Sequence, residues 1–302
     1  MRGKTHNAVS APSARLFFQR LDAALRAQPL RDLPWRSKRF LRQNGAMDSY
    51  AIVVSEIMLQ QTQVERVSPY FLRWVERWPS WEALARAARQ EVLKAWVGLG
   101  YNRRAIALHQ LACLTARNNG ILPRGRRELE ALPGIGPYTA GAIRVFAFNE
   151  WDEALEANGK IVLFAYSSLP RGKDTSDAVL LALLRRAVRA AQAACWEARE
   201  WYWHLMDHGA QLRAQGWRIG ALRANQPRQP RFAGSVRQVR GGVVRALARH
   251  GALGRRELIA LLRKEGVLGL SEDPTFRLLS ALSALQAEGV INLQKGKWTL
   301  SP

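Results

Sequence analysis

Apolar positions recur at helical spacing through most of the chain. Leu16, Phe17, Leu21, Ala24 and Leu25 predict a helix over 13–30, and LPWR (33–36) reads as a loop. Asp48-Ser49 reads as an N-cap for a helix that carries Tyr50, Val53, Ile57 and Leu59 on one apolar face. Further helices are expected at 62–76, 81–87, 89–96, 102–117, 127–131, 138–148, 158–166, 175–193 and 197–214. Sustained strand alternation is absent until the far C-terminus, so the first two-thirds is expected to be all-α. At 217–236, WRIGALRANQPRQPRFAGSV is basic, holds two prolines and lacks helical periodicity, which makes it a linker. Beyond it come three helices, over 237–249, 255–265 and 274–288, then two short strands around Lys295-Gly296. Three helices and a hairpin are the layout of a winged helix, a helix-turn-helix variant. Such modules bind DNA or dock proteins. Arg255, Arg256, Lys264, Arg277, Lys295 and Lys297, spread through this one, favour DNA.

Charge sharpens the picture. The 302 residues hold 46 Lys+Arg against 24 Asp+Glu, a formal charge of +22 with a sequence pI near 11.3. That excess points to a polyanion as partner, and the length suggests two or three domains. A membrane surface is the competing polyanion, but no apolar run is long enough to span a bilayer. The N-terminus has a basic start without an apolar core and cleavage site, so no secretory signal is expected. Cys113 and Cys195 make neither a metal-spacing pattern nor a disulfide framework, which fits a reducing cytoplasm. The eleven Trp are expected to serve packing.

One stretch suggests where the polyanion is held. In LPGIGPYTAGAI (132–143), Gly134 and Gly136 can adopt positive φ and leave backbone N–H groups uncovered. Thr139-Ala140-Gly141-Ala142 reads as the tightly packed first turns of a helix, whose N-terminus favours an anion. The bland alternative is an ordinary turn between two helices.

LPWR, SEIMLQQTQV (55–64), GLGY (98–101), LPGIGPYTAGAI and LMDHGA (205–210) occur in the order found in helix-hairpin-helix DNA glycosylases. The chain resembles most the adenine glycosylases that excise adenine mispaired with oxidised guanine, over roughly residues 30–212. The resemblance implies two helical lobes within 1–216, with 49–149 inserted between 1–48 and 150–216, ahead of the linker and the winged helix at 237–302. It also implies that the hairpin around Leu132, Gly134, Gly136 and Thr139 holds a DNA phosphate. The implied partner is double-stranded DNA with a mismatched or damaged base. A monomer in the cytoplasm, associated with the nucleoid, is expected.

Breaking a glycosidic bond requires charge to be managed at both ends. A protonated carboxylic acid can give its proton to the leaving base, while an ionised carboxylate stabilises the positive sugar. The base must first leave the stack. Glu56 matches the family's acid; the competing reading is a solvated Glu on an amphipathic helix. Gln60 and Gln61 match the side chains that fill the vacated stack, and Tyr101 matches the aromatic wedge. Asn102 stands where the family usually has a second aromatic. In LEAN (155–158), Glu156 stands where the family has its catalytic aspartate; Asp152 and Glu153 are rivals that need a shift of register. Tyr138 stands where bifunctional relatives place a Schiff-base lysine, so monofunctional hydrolysis is implied. The family's four cluster-binding cysteines are not found after Ala210, so no iron–sulfur cluster and no other cofactor is expected. The 65 or so residues after the linker are too few for the nucleotide-hydrolase-like domain that reads oxidised guanine. The alternatives to adenine excision are a thymine or uracil mismatch glycosylase and a non-catalytic DNA-binding protein.

Overall fold

The computed structural model describes residues 11–169, 175–217, 232, 235–268 and 274–302. The chain is mostly helical and divides into two compact units, one of Met1–Asp48 with Gly136–Pro227, the other of Ser49–Ile135 with Arg228–Pro302. Most of the basic 217–236 stretch lies outside the described residues. No helix among the described residues is long and apolar enough to cross a membrane.

The first unit contains α1 (Ala11–Arg26), α8 (Pro137–Phe146), α9 (Ala157–Tyr166), α10 (Asp177–Ala193) and α11 (Ala198–Ala214). Helix α1 is shorter than its apolar pattern suggested, ending before Pro29, whose ring excludes the α region for the residue ahead of it. Helix α11 packs against α1, α8 and α9. Its Gly209 meets α9 backbone to backbone: a Cβ there would lie 2.3 Å from the Asn158 carbonyl oxygen, so only glycine fits. Arg36, in the LPWR turn, donates to both oxygens of buried Asp207 at 2.6 and 3.1 Å, and the Arg31 N–H donates to the same carboxylate at 2.8 Å. LPWR and LMDHGA are thereby two halves of one buried ion pair. Arg199 donates to the carbonyls of Phe146 and Ala147, satisfying acceptors that α8 leaves open at its C-terminus.

The second unit begins with α2 (Ser49–Leu59), α3 (Val64–Arg77), α4 (Trp81–Ala85), α5 (Arg89–Trp96), α6 (Arg103–Arg117) and α7 (Arg126–Glu130). Helix α2 is not amphipathic as its pattern suggested. All nine residues from Tyr50 to Met58 are buried, which is the behaviour of a helix apolar on every side. Trp74, Trp78, Trp81 and Trp96 are buried in this unit and pack edge-on against one another or Tyr50.

The same unit contains α12 (Val236–His250), α13 (Arg255–Lys264), α14 (Pro274–Ala287), β1 (Ile291–Gln294) and β2 (Lys297–Leu300). The strands pair antiparallel from Ile291↔Leu300 to Gln294↔Lys297. Lys295 and Gly296, at φ 47 and 75, form the two-residue turn that matches strand twist. Leu253 and Trp298 exchange backbone hydrogen bonds, adding a short third edge to the hairpin. Val239, Val243, Leu247, Leu258, Leu262, Leu278, Leu282 and Ile291 are buried here. This is the winged-helix layout expected from the pattern.

Candidate active site

Glu56 lies on the third turn of α2 and is only 7% exposed, which removes the solvated-surface reading. Ile52, Val53 and Ile57, its neighbours on α2, are buried with it. Helix α2 stops at Leu59, and the chain then turns sharply. Gln61 has φ 56 and is exposed, and Thr62 N–H donates back to the Leu59 carbonyl at 3.1 Å. The Gln60 amide donates to the Gly134 carbonyl at 3.4 Å, joining this turn to the glycine-rich stretch.

Tyr101 also has positive φ, at 49°, and is 46% exposed. Gly98 and Gly100 before it have φ 105 and 73, and a Cβ at Gly98 would lie 2.1 Å from the Tyr70 hydroxyl. A left-handed conformation costs a non-glycine residue about 1–3 kcal/mol and persists only where neighbouring structure imposes it. Gln61 and Tyr101 are, with Gln60, the residues read as filling and wedging a DNA stack. Asn102, beside them, is buried at the start of α6.

Between α7 and α8, Leu132 is half-buried and its carbonyl accepts from Ile135 N–H at 3.2 Å. Gly134 has φ 76, and a Cβ there would be 2.9 Å from that of Ala107, so both conformation and space require glycine. Gly136 corrects the expectation of two left-handed glycines. Its φ is −95 and ψ −179, extended backbone open to any residue, and an added Cβ would meet open space. Its lack of a side chain therefore serves nothing inside the protein. Pro137 opens α8, Tyr138 is half-buried, and Thr139 is 4% exposed. Any part Thr139 takes in holding an anion thus falls to its backbone.

Glu156 is the N-cap of α9. Its two oxygens accept from the Asn158 and Gly159 N–H groups at 2.7 and 2.8 Å. Burial pushes its carboxyl above the usual range, while these two bonds, Arg213 and Lys160 oppose the shift. The rival carboxylates have other partners: Asp152 receives a hydrogen bond from Arg144, and Glu153 pairs with Arg185. Glu156 is hydrogen-bonded by backbone N–H groups at a helix N-terminus, with Arg213 and Lys160 also favouring its charge.

Two residues escaped the sequence reading. Asn158 has a buried Oδ1 with no partner among the described residues. Arg104 is buried, and its guanidinium lies among carbonyls at the end of α2 and in the GLGY turn. Its signal was available, since Arg104, Leu108, Leu111 and Thr115 share one buried stripe of α6 while Arg103 is exposed.

Cys113, in the second unit, is half-buried; Cys195, in the first, is exposed. Two thiols cannot supply the four ligands of an iron–sulfur cluster, and no group of three or more His, Cys, Asp or Glu among the described residues is placed to hold a metal.

Residues 54–256 match the family model of the HhH-GPD superfamily base excision DNA repair proteins. The chain is 43% identical over 134 residues to the adenine DNA glycosylase of Mycolicibacterium smegmatis, covering 44% of this chain and 43% of that one. It is 42% identical over 133 residues to the mouse enzyme of that name, covering 43% and 26%. The chain thus spans less than half the length of these curated relatives. Among solved structures, a thermostable thymine-DNA glycosylase superposes with a TM-score of 0.51 at 25% identity, covering 66% of this chain and 87% of that one. With its family match extending from α2 into α13, the chain belongs to the HhH-GPD superfamily of base excision DNA repair proteins.

Proposed function

We propose that the protein is a monofunctional DNA N-glycosylase that hydrolyses the glycosidic bond of a flipped base, adenine foremost, in duplex DNA. The observation that carries it is the burial of Glu56 in a helix buried on all sides, directly before the Gln60–Gln61 turn. As an acid Glu56 gives its proton to the purine ring, so the bond's electron pair leaves with a neutral base. Glu156, ionised, stabilises the positive charge on the sugar. Water then adds to the anomeric carbon and returns a proton to the Glu56 carboxylate. Tyr138 has no amine to form a Schiff base, so the strand stays intact. The open face at Gly136 leaves room for a phosphate beside the N-terminus of α8. Residues 237–302, behind the 217–236 linker, act in this reading as a second DNA-contacting domain, and the protein works as a monomer.

The likeness to a thymine-DNA glycosylase supports a second reading, excision of mismatched thymine. A panel of duplexes with adenine opposite oxidised guanine, adenine opposite guanine, thymine opposite guanine and uracil opposite guanine separates the two. Abasic sites are revealed by alkali. Release from the adenine duplexes, lost in Glu56→Gln and without borohydride-trapped adduct, is the expected result. Release from thymine or uracil alone would transfer the assignment. No release from any duplex, with DNA still bound, would make the chain a non-catalytic DNA-binding protein.

A further inference from the structure

The two turns that carry Gln61 and Tyr101 lie about 40 residues apart in sequence, yet one side chain holds both. Arg104 Nη1 donates to the carbonyls of Ile57 and Met58 at 2.9 Å and of Gln60 at 2.6 Å. Nη2 donates to the carbonyls of Leu99 and Gly100, each at 3.1 Å, and to the Thr62 hydroxyl at 3.2 Å. One nitrogen of the fork thus serves the end of α2, and the other reaches the GLGY turn.

The acceptors are the open carbonyls at the negative end of α2 and in a turn that has no ladder of its own. A cation suits both. Burial pulls the Arg104 pKa down to about 10, which leaves it charged at neutral pH. Its guanidinium carbon also lies 5.3 Å from the Trp96 ring centre and 5.5 Å from that of Tyr101. The Trp96 indole N–H adds a bond to the Gly100 carbonyl at 2.9 Å. Only a planar fork reaches acceptors on two segments at once; a lysine ammonium is a single point.

We propose that Arg104 is a positioning residue that holds the Gln60–Gln61 turn and the Tyr101 turn in one fixed arrangement for entry into DNA. The proposal rests on the reading of Gln61 and Tyr101 as stack-filling and wedge residues. Arg104 touches neither base nor sugar in it. It sets, before DNA arrives, the spacing at which the two side chains enter, so no ordering of loops is left for the binding step.

The test is Arg104→Lys, which retains charge and most of the stem. Hydrogen exchange on the free protein is followed in peptides spanning 58–63 and 97–102, with α4 as the control. Both peptides should exchange about tenfold faster while α4 is unchanged. In single-turnover excision the variant should be slower by about 100-fold, as for a misplacement near 1 Å. Its affinity for an intact duplex should stay within about two-fold, and the wild-type preference for a duplex with an abasic analogue should be lost. Unchanged exchange in either peptide overturns the brace. Faster exchange that includes α4 makes Arg104 a general core residue and also overturns the assignment. Loosened turns with excision and abasic preference intact remove the positioning role. A wild-type protein without abasic preference refutes the wedge reading and this role with it, and the exchange data still tell that outcome from a missing brace.

Discussion

Glu156 offers the sharpest test of the proposed chemistry. Its carboxylate is set by two bonds, 2.7 Å from Asn158 N and 2.8 Å from Gly159 N, at the positive end of α9. Glu156→Asp removes one methylene and draws the carboxylate back by about 1.5 Å, one carbon–carbon bond. Aspartate is a preferred N-cap, so α9 should remain capped and the fold intact. The charge, however, would sit short of the place that the present side chain reaches. A misplacement of this size is worth roughly 100-fold in rate. Glu156→Gln keeps the length and removes the charge, and loss of a preorganised electrostatic contact costs about 10³-fold, or roughly 4 kcal/mol. Both variants should bind duplex DNA within a few-fold of wild type, because the charge acts mainly in the transition state. The assay is single-turnover excision at saturating protein, with alkali-revealed abasic sites, across a pH series. Because burial raises the Glu156 pKa and the ionised form is the active one, activity is lost as pH falls through that raised value. The acidic limb should therefore lie above the ordinary 4.5 of a glutamate and be missing from the residual Gln activity. Aspartate at or above the wild-type rate would show a site still shaped for the shorter side chain. Glutamine at the wild-type rate would reduce Glu156 to a helix cap.

Gly134→Ala should destabilise the protein by at least about 1–2 kcal/mol in thermal melts, since it combines φ 76 with a contact 2.9 Å from Ala107. Gly136→Ala should leave the melting temperature unchanged and weaken duplex binding; a loss of stability there would contradict the open space at that position. Duplex affinity should fall by about 10³–10⁵ between 50 and 200 mM salt if roughly 6–10 phosphates are contacted, and a flat titration would remove DNA as the main partner. Asp207→Ala leaves Arg36 buried without its carboxylate and should cost about 3–5 kcal/mol in urea unfolding; a loss under 1 kcal/mol, about the worth of a surface pair, would refute a buried bridge.

The course of the chain was legible in sequence because helical spacing, caps and breakers are local signals. The helices, the Lys295-Gly296 hairpin and the winged-helix layout all follow from residues a few positions apart. The order of motifs likewise identified the family, since each motif is short and contiguous. Whatever depends on residues far apart was decided by the tertiary structure. Burial of α2 on every side comes from what surrounds it, and that turned Glu56 from a surface charge into a buried side chain. The glycines of LPGIGP look equivalent in sequence, yet Gly134 is required by its φ and by Ala107, while Gly136 is extended and open. Arg36 of LPWR and Asp207 of LMDHGA lie 171 residues apart in sequence, yet meet as one buried ion pair. Sequence spacing set Glu156 ahead of Asp152 and Glu153 by register, and only the fold shows that Arg144 and Arg185 lie beside those two. Arg104 was legible as a charged residue on an apolar stripe, but its bonds to six acceptors on two segments exist only when the chain has folded. Local spacing determines which elements form; the cost of burying charge and the space left for a Cβ determine which residues those elements can put to use.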